Sequence, residues 1–94
     1  MFGLKVLDEK MCSCNGGELQ WQLHKWYSVE GKIVICGNGL HFTFKPSMWW
    51  GSRVFLCETS GVSELREDKG VCRRMRLVRE LSREELEAYG KVED

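Results

Sequence analysis

The sequence predicts an α+β fold: a small, mostly antiparallel sheet with one or two short helices, the C-terminal one packed on the sheet. Three observations carry that expectation. Residues 32–36, KIVIC, form an apolar run bounded by Gly31 and Gly37, the pattern of a strand covered on both faces. Residues 40–44 alternate Leu40, Phe42 and Phe44 against His41 and Thr43, the two-residue period of a strand with one buried side. Ser82 with Glu85 three residues on is a capping box, which satisfies free N–H groups at a helix start.

The elements follow in order. Residues 3–8 hold Leu4, Val6 and Leu7 and read as a first strand. Residues 10–17 are rich in Ser, Asn and Gly and read as a loop. Two short strands are expected at 19–22 and 26–29, then the 32–36 strand and a tight turn at Gly37-Asn38-Gly39. After the 40–44 strand, Pro46 opens a helical turn over 47–50 that Gly51 ends. Residues 53–58 form a strand and Ser60-Gly61 a turn. Residues 62–65 pair across a polar segment with a main strand at 71–79. The last helix starts at Ser82, with Leu81 stapling its entry and Glu84 and Glu85 favoured by the helix dipole. Leu86 and Tyr89 face the core, Gly90 ends the helix, and residues 91–94 fray.

Composition narrows the function classes. The 94 residues make one domain, 1–94. Fourteen Lys plus Arg balance fourteen Asp plus Glu, so no whole-domain electrostatic grip on nucleic acid is expected. Hydrophobic residues at 43% with a single Pro exclude a disordered chain. No apolar run approaches the roughly 18 residues of a membrane span, and the first ten residues lack the apolar core of a secretory signal. A cytoplasmic protein without membrane partners is expected.

Five cysteines, at 12, 14, 36, 57 and 72, read as reduced thiols. Cys12, Cys14 and Cys36 with His41 or His24 have the ligand types zinc accepts. Cys-x-Cys is shorter than the usual knuckle, and no second close pair follows. The expectation is therefore no metal and no cofactor, with Cys36, Cys57 and Cys72 as small buried side chains. No catalytic triad is legible. The Gly37-Asn38-Gly39 turn lacks the lysine and helix of a phosphate loop. Glu84, Glu85 and Glu87 read as a solvated helix face.

Charge is segregated within the net zero. Residues 71–79 contain Arg73, Arg74, Arg76 and Arg79 and no acid, giving +4. Residues 80–94 contain six acids against Arg83 and Lys91, giving −4. On a strand Arg74 and Arg76 share one side, and Arg73 and Arg79 the other. Either these arginines form a surface for an acidic partner, or the terminal helix lies near and its acids pair with them. Aromatics are also concentrated: Trp21, Trp26, Tyr27, Phe42, Phe44, Trp49, Trp50 and Phe55 fall within 35 consecutive residues. Such a set either fills a thin core or leaves an exposed contact patch, with Trp49 and Trp50 as anchors.

Several stretches resemble a family of short phage- and prophage-borne domains of unknown function. They are Cys14-Asn15-Gly16, Gln20-Trp21, Lys25-Trp26-Tyr27, Pro46, residues 78–82, and Cys36-Gly37-Asn38-Gly39-Leu40-His41-Phe42, which is the most specific. His24 departs from that pattern, which tends to have glycine there. The resemblance implies a phage origin and a site of action inside a bacterial host. A shorter stretch, Asn38 to Phe42 with Pro46 and Trp49-Trp50, is similar to ADP-ribosyltransferase-like folds, in which it would line a nicotinamide pocket.

The functional expectation is a non-catalytic, phage-type binding protein. It would inhibit or modulate a bacterial host protein or nucleoprotein complex, such as a CRISPR effector. Trp49, Trp50, Arg73, Arg74, Arg76 and Arg79 would form the contact. The alternative is a small ADP-ribosyltransferase-like or nucleotide-binding domain with His41 and Phe42 on the ligand. A third reading is an accessory domain with no activity of its own.

Overall fold

Strand β5 (Lys69–Glu80) decides the architecture, because it is paired on both edges. Along one edge it runs antiparallel to β4 (Arg53–Leu65) over nearly its whole length. Along the other it pairs first with β3 (Leu40–Thr43) and then with the two-residue β2 (Tyr27–Ser28). Strand β1 (Phe2–Leu7) joins β3 to β4, so β5, β3, β1 and β4 close into an antiparallel barrel. One helix, α1 (Arg83–Val92), follows. The computed structural model describes residues 1–12, 19–35, 37–45 and 53–92.

The fold is thus mostly β, a closed barrel with one short helix, which corrects the expected α+β class of a small antiparallel sheet with one or two short helices packed on it. The correction has a local cause. Residues 32–35 form no strand and lie outside the barrel wall, where Gly39 approaches both Ile33 and Val71. Asn38 ties this loop together, its Nδ2 donating to the carbonyls of Glu30 (2.7 Å) and Lys32 (3.0 Å). An apolar run can therefore cover a sheet as well as enter one. The second cause is curvature. Ser60 and Gly61, expected as a turn, lie inside β4, where Gly61 holds φ at 67°. Register shifts at Leu56/Cys57 and Val62/Glu64 add to the bend, and bulged strands coil more strongly. The two long strands can then curl until β3 and β1 bridge their outer edges.

Side chains divide by strand parity. Leu7, Leu40, Phe42, Phe55, Cys57, Cys72, Met75 and Leu77 fill the interior, and Trp21 closes one side. Phe42 needs two glycines beside it: a Cβ at Gly3 or at Gly70 would come within 2.5 Å of its ring. The opposite parity of β1 and β4 puts Leu4, Val6, Val54 and Leu56 outside, where Leu81 and Leu86 cover them.

The helix start matches the sequence signal. Ser82 Oγ accepts from Glu85 N–H (3.2 Å), and Glu85 Oε1 accepts from Ser82 N–H (3.0 Å). The end does not match: α1 continues through Gly90 to Val92. Glycine permits a left-handed stop without enforcing one. Of the remaining expectations, the 47–50 helical turn between Pro46 and Gly51 with Trp49 and Trp50, most of the 10–17 loop, Cys14, Cys36 and the side chain of Tyr89 lie outside the described residues.

Candidate protein-interaction face

The four arginines of β5 have three different fates. Arg73 is a strut: its guanidinium donates to the carbonyls of Val29 (2.9 Å) and Gly31 (2.8 Å), holding the covering loop to the barrel. Arg79 reaches the helix, where both terminal nitrogens bind Glu85 (2.8 and 2.7 Å). Together with the N-cap bonds, this holds the Glu85 carboxyl at about 2, below the usual carboxylate range. Arg74 is exposed, opposite Ser60 of β4 and Ser28 of β2. Arg76 sits opposite Glu58, which receives its Nε at 2.8 Å and its Nη2 at 2.6 Å. Its guanidinium also lies over the Trp26 indole, 5.3 Å from the ring centroid. Among the described residues the helix therefore pairs with one β5 arginine, not with the set.

Trp26 is held by a folded segment. Its neighbour Tyr27 packs on the buried Trp21 with centroids 4.6 Å apart. The Tyr27 hydroxyl accepts from Gln22 N–H (3.0 Å) and donates to the Gln20 carbonyl (3.4 Å). His24 takes φ 66° and donates its N–H to the Leu77 carbonyl at 2.8 Å. The left-handed turn that a glycine would serve is thus made by His24. Lys25 lies over the Tyr27 ring at 5.3 Å. This scaffold leaves Trp26 45% and Leu23 44% exposed. On the far side of Glu58, Phe2 is its register partner on β1 and is 56% exposed.

Trp26, Arg76, Glu58 and Phe2 thus run across neighbouring elements, with Arg74 beside them. Large exposed rings, a guanidinium and a rigid β wall are the features of a protein contact. Sequence reasoning placed Arg74 and Arg76 here but missed Trp26, Phe2 and Glu58 as site residues. The signal for Trp26 was its position between Lys25 and Tyr27 in a polar segment. Nothing local marked Phe2 or Glu58, which reach the site by strand register.

The other predicted residues lie elsewhere. His41 and Phe42 alternate on β3: Phe42 is 3% exposed inside the barrel, and His41 is half-buried on the other side. Burial, then the nearby Lys5 charge, hold the His41 imidazole below its usual range. Cys57 and Cys72 are buried, and burial pushes their thiols up to about 12 and about 11. Lys5 is inside as well, only 9% exposed, with its amine donating to the His41 carbonyl at 2.7 Å. Among the described residues no three His, Cys, Asp or Glu side chains gather as a metal site.

A family model described as a domain of unknown function, DUF7666, matches residues 1–88. The chain belongs to that family. This agrees with the coarse resemblance drawn from the sequence, to an uncharacterised domain family. No curated protein and no solved structure matches the DUF7666 chain. No helix among its described residues is long and apolar enough to cross a membrane.

Proposed function

We propose that this DUF7666 protein is a non-catalytic binding domain that engages a protein partner through the face formed by Trp26, Arg76, Glu58 and Phe2. One observation carries the reading. On a barrel whose next outward positions along β1 and β4 are sealed by leucines, two large aromatic side chains stand exposed around a preformed guanidinium–carboxylate pair. Rigid aromatic anchors lose little entropy on binding, and arginine beside them supplies direction. The resemblance to phage-borne domains makes a bacterial host protein, such as a component of a defence complex, the partner class. The nucleotide reading gains no support from the geometry, because the His41 and Phe42 side chains lie on opposite faces of β3 and do not converge on one ligand.

The test is site-specific photocrosslinking in a bacterial lysate, with the crosslinker at Phe2 or at Lys10 as a control. The partner is then purified and titrated with the wild type and with Trp26→Ala. Crosslinking from Phe2 alone, and affinity lost with Trp26→Ala, support the reading. Equal crosslinking from Lys10, or unchanged affinity of Trp26→Ala, overturns it.

A further inference from the structure

The interaction face is not electrically balanced. Among the described residues it carries Arg74 and Arg76 against Glu58. Arg74 is flanked in register by serines on both sides, so no acid stands opposite it. Arg76 is paired in an unusual way. Its Nε and Nη2 both bind one oxygen, Glu58 Oε1. The Arg53–Glu80 and Arg79–Glu85 pairs instead use two nitrogens on two oxygens. The fork–fork arrangement uses both carboxylate oxygens and fixes the guanidinium. The Arg76 arrangement leaves Nη1 with no partner among the described residues. Arg76 is also oriented already by the Trp26 ring beneath it.

We infer that the partner of this face presents an acidic segment, with carboxylates received by Arg74 and by the open Nη1 edge of Arg76 and apolar side chains laid against Trp26 and Phe2. The inference rests on the binding-face reading above and names the chemistry of its partner. Glu58 then has a second role. It aligns Arg76 in the free protein and competes with the incoming carboxylate, which lowers affinity and raises selectivity for a partner that brings apolar contacts too. A nucleic-acid strand shares the negative charge, but it would lay a continuous phosphate line across Glu58, and the exposed apolar side chains on both sides suit a polypeptide.

The experiment is an NMR titration of the full chain, following the Trp26 indole N–H and the Arg76 Nε–H. The probes are a synthetic glutamate-rich peptide containing leucine and phenylalanine, its glutamine counterpart, and oligothymidylate. The acidic peptide should produce saturable shifts at both signals. Affinity should fall about tenfold for the glutamine peptide and for Arg74→Glu, and rise about threefold for Glu58→Gln. The exposed position of Arg74 leaves the fold intact in Arg74→Glu. Equal binding of the glutamine peptide sinks the acidic inference while leaving the binding face standing. Tighter binding of oligothymidylate than of the acidic peptide, or no saturable shift with any probe, also overturns it. Crosslinking that depends on Trp26 but not on Arg74 separates failure of this inference from failure of the binding-face reading.

Discussion

Two stretches of one barrel wall are built to the same pattern and finished differently. Phe2, Leu4 and Val6 alternate outward on β1, in register with Glu58, Leu56 and Val54 on β4. Around Leu4 and Val54 the wall is sealed, because Leu81 and the first turn of α1 fold back over it. Around Phe2 and Glu58 the wall stays open, and aromatic and charged groups replace the aliphatic ones. The sealed stretch contributes to stability. The open stretch contributes little, and its residue types are those that pay off in contact with another surface. On the proposed reading, a shared backbone serves folding at one end and recognition at the other.

The sharpest way to break this comparison is to truncate equivalent positions. Leu4→Ala removes a buried side chain from the sealed stretch and should cost about 2–4 kcal/mol in urea unfolding. Phe2→Ala, two residues away on the same strand, should cost less than about 1 kcal/mol. Comparable losses at both positions would show that the open stretch is covered in solution.

The interior supplies a second contrast. Cys57 and Cys72 have raised thiol pKa values, so the folded state retains protons that the unfolded state has lost above about pH 9. Stability should therefore hold below pH 9 and fall as pH rises toward 11 and 12, by up to about 1.4 kcal/mol per pH unit for each thiol. Both thiols should resist alkylation at neutral pH until urea unfolds the barrel. Mass spectrometry of the labelled protein checks this.

A smaller effect tests how the sealed stretch is held. Ser82→Ala removes the N-cap and should cost about 1 kcal/mol. The Glu85 carboxyl is held low, at about 2, so its pairing is complete above pH 4.5 and is lost as pH falls through the folded value. Helix circular dichroism should decline between pH 4.5 and 2 in the wild type, and lose that step in Glu85→Gln. The smallest expected change is Arg74→Glu, which should alter stability by less than about 0.5 kcal/mol.

How far the sequence foretold this depends on the range of the interaction. The capping box at Ser82 and Glu85, the pairing of 62–65 with β5, and the strand at 53–58 are local patterns, and each is present. Barrel closure is not local. It requires β5 to use both edges and β1 to pair with β3 and β4, both far from it in the chain, and no periodicity reports that. The 32–35 stretch misled because half-burial of Ile33 and Ile35 in a loop selects the same apolar residues as burial within a sheet. The arginine cluster was visible, but its division into a strut, a helix clasp and two surface cations depends on which acids and carbonyls the fold brings near.

The central claim is that recognition and stability separate along one wall. It is tested most directly by measuring Trp26→Ala and Leu56→Ala side by side, for unfolding free energy and for affinity to the crosslinked partner. The account predicts that Trp26→Ala keeps its stability within about 1 kcal/mol and loses binding at least tenfold, while Leu56→Ala loses stability and, where folded, binds as the wild type does. Unchanged binding by Trp26→Ala would contradict it.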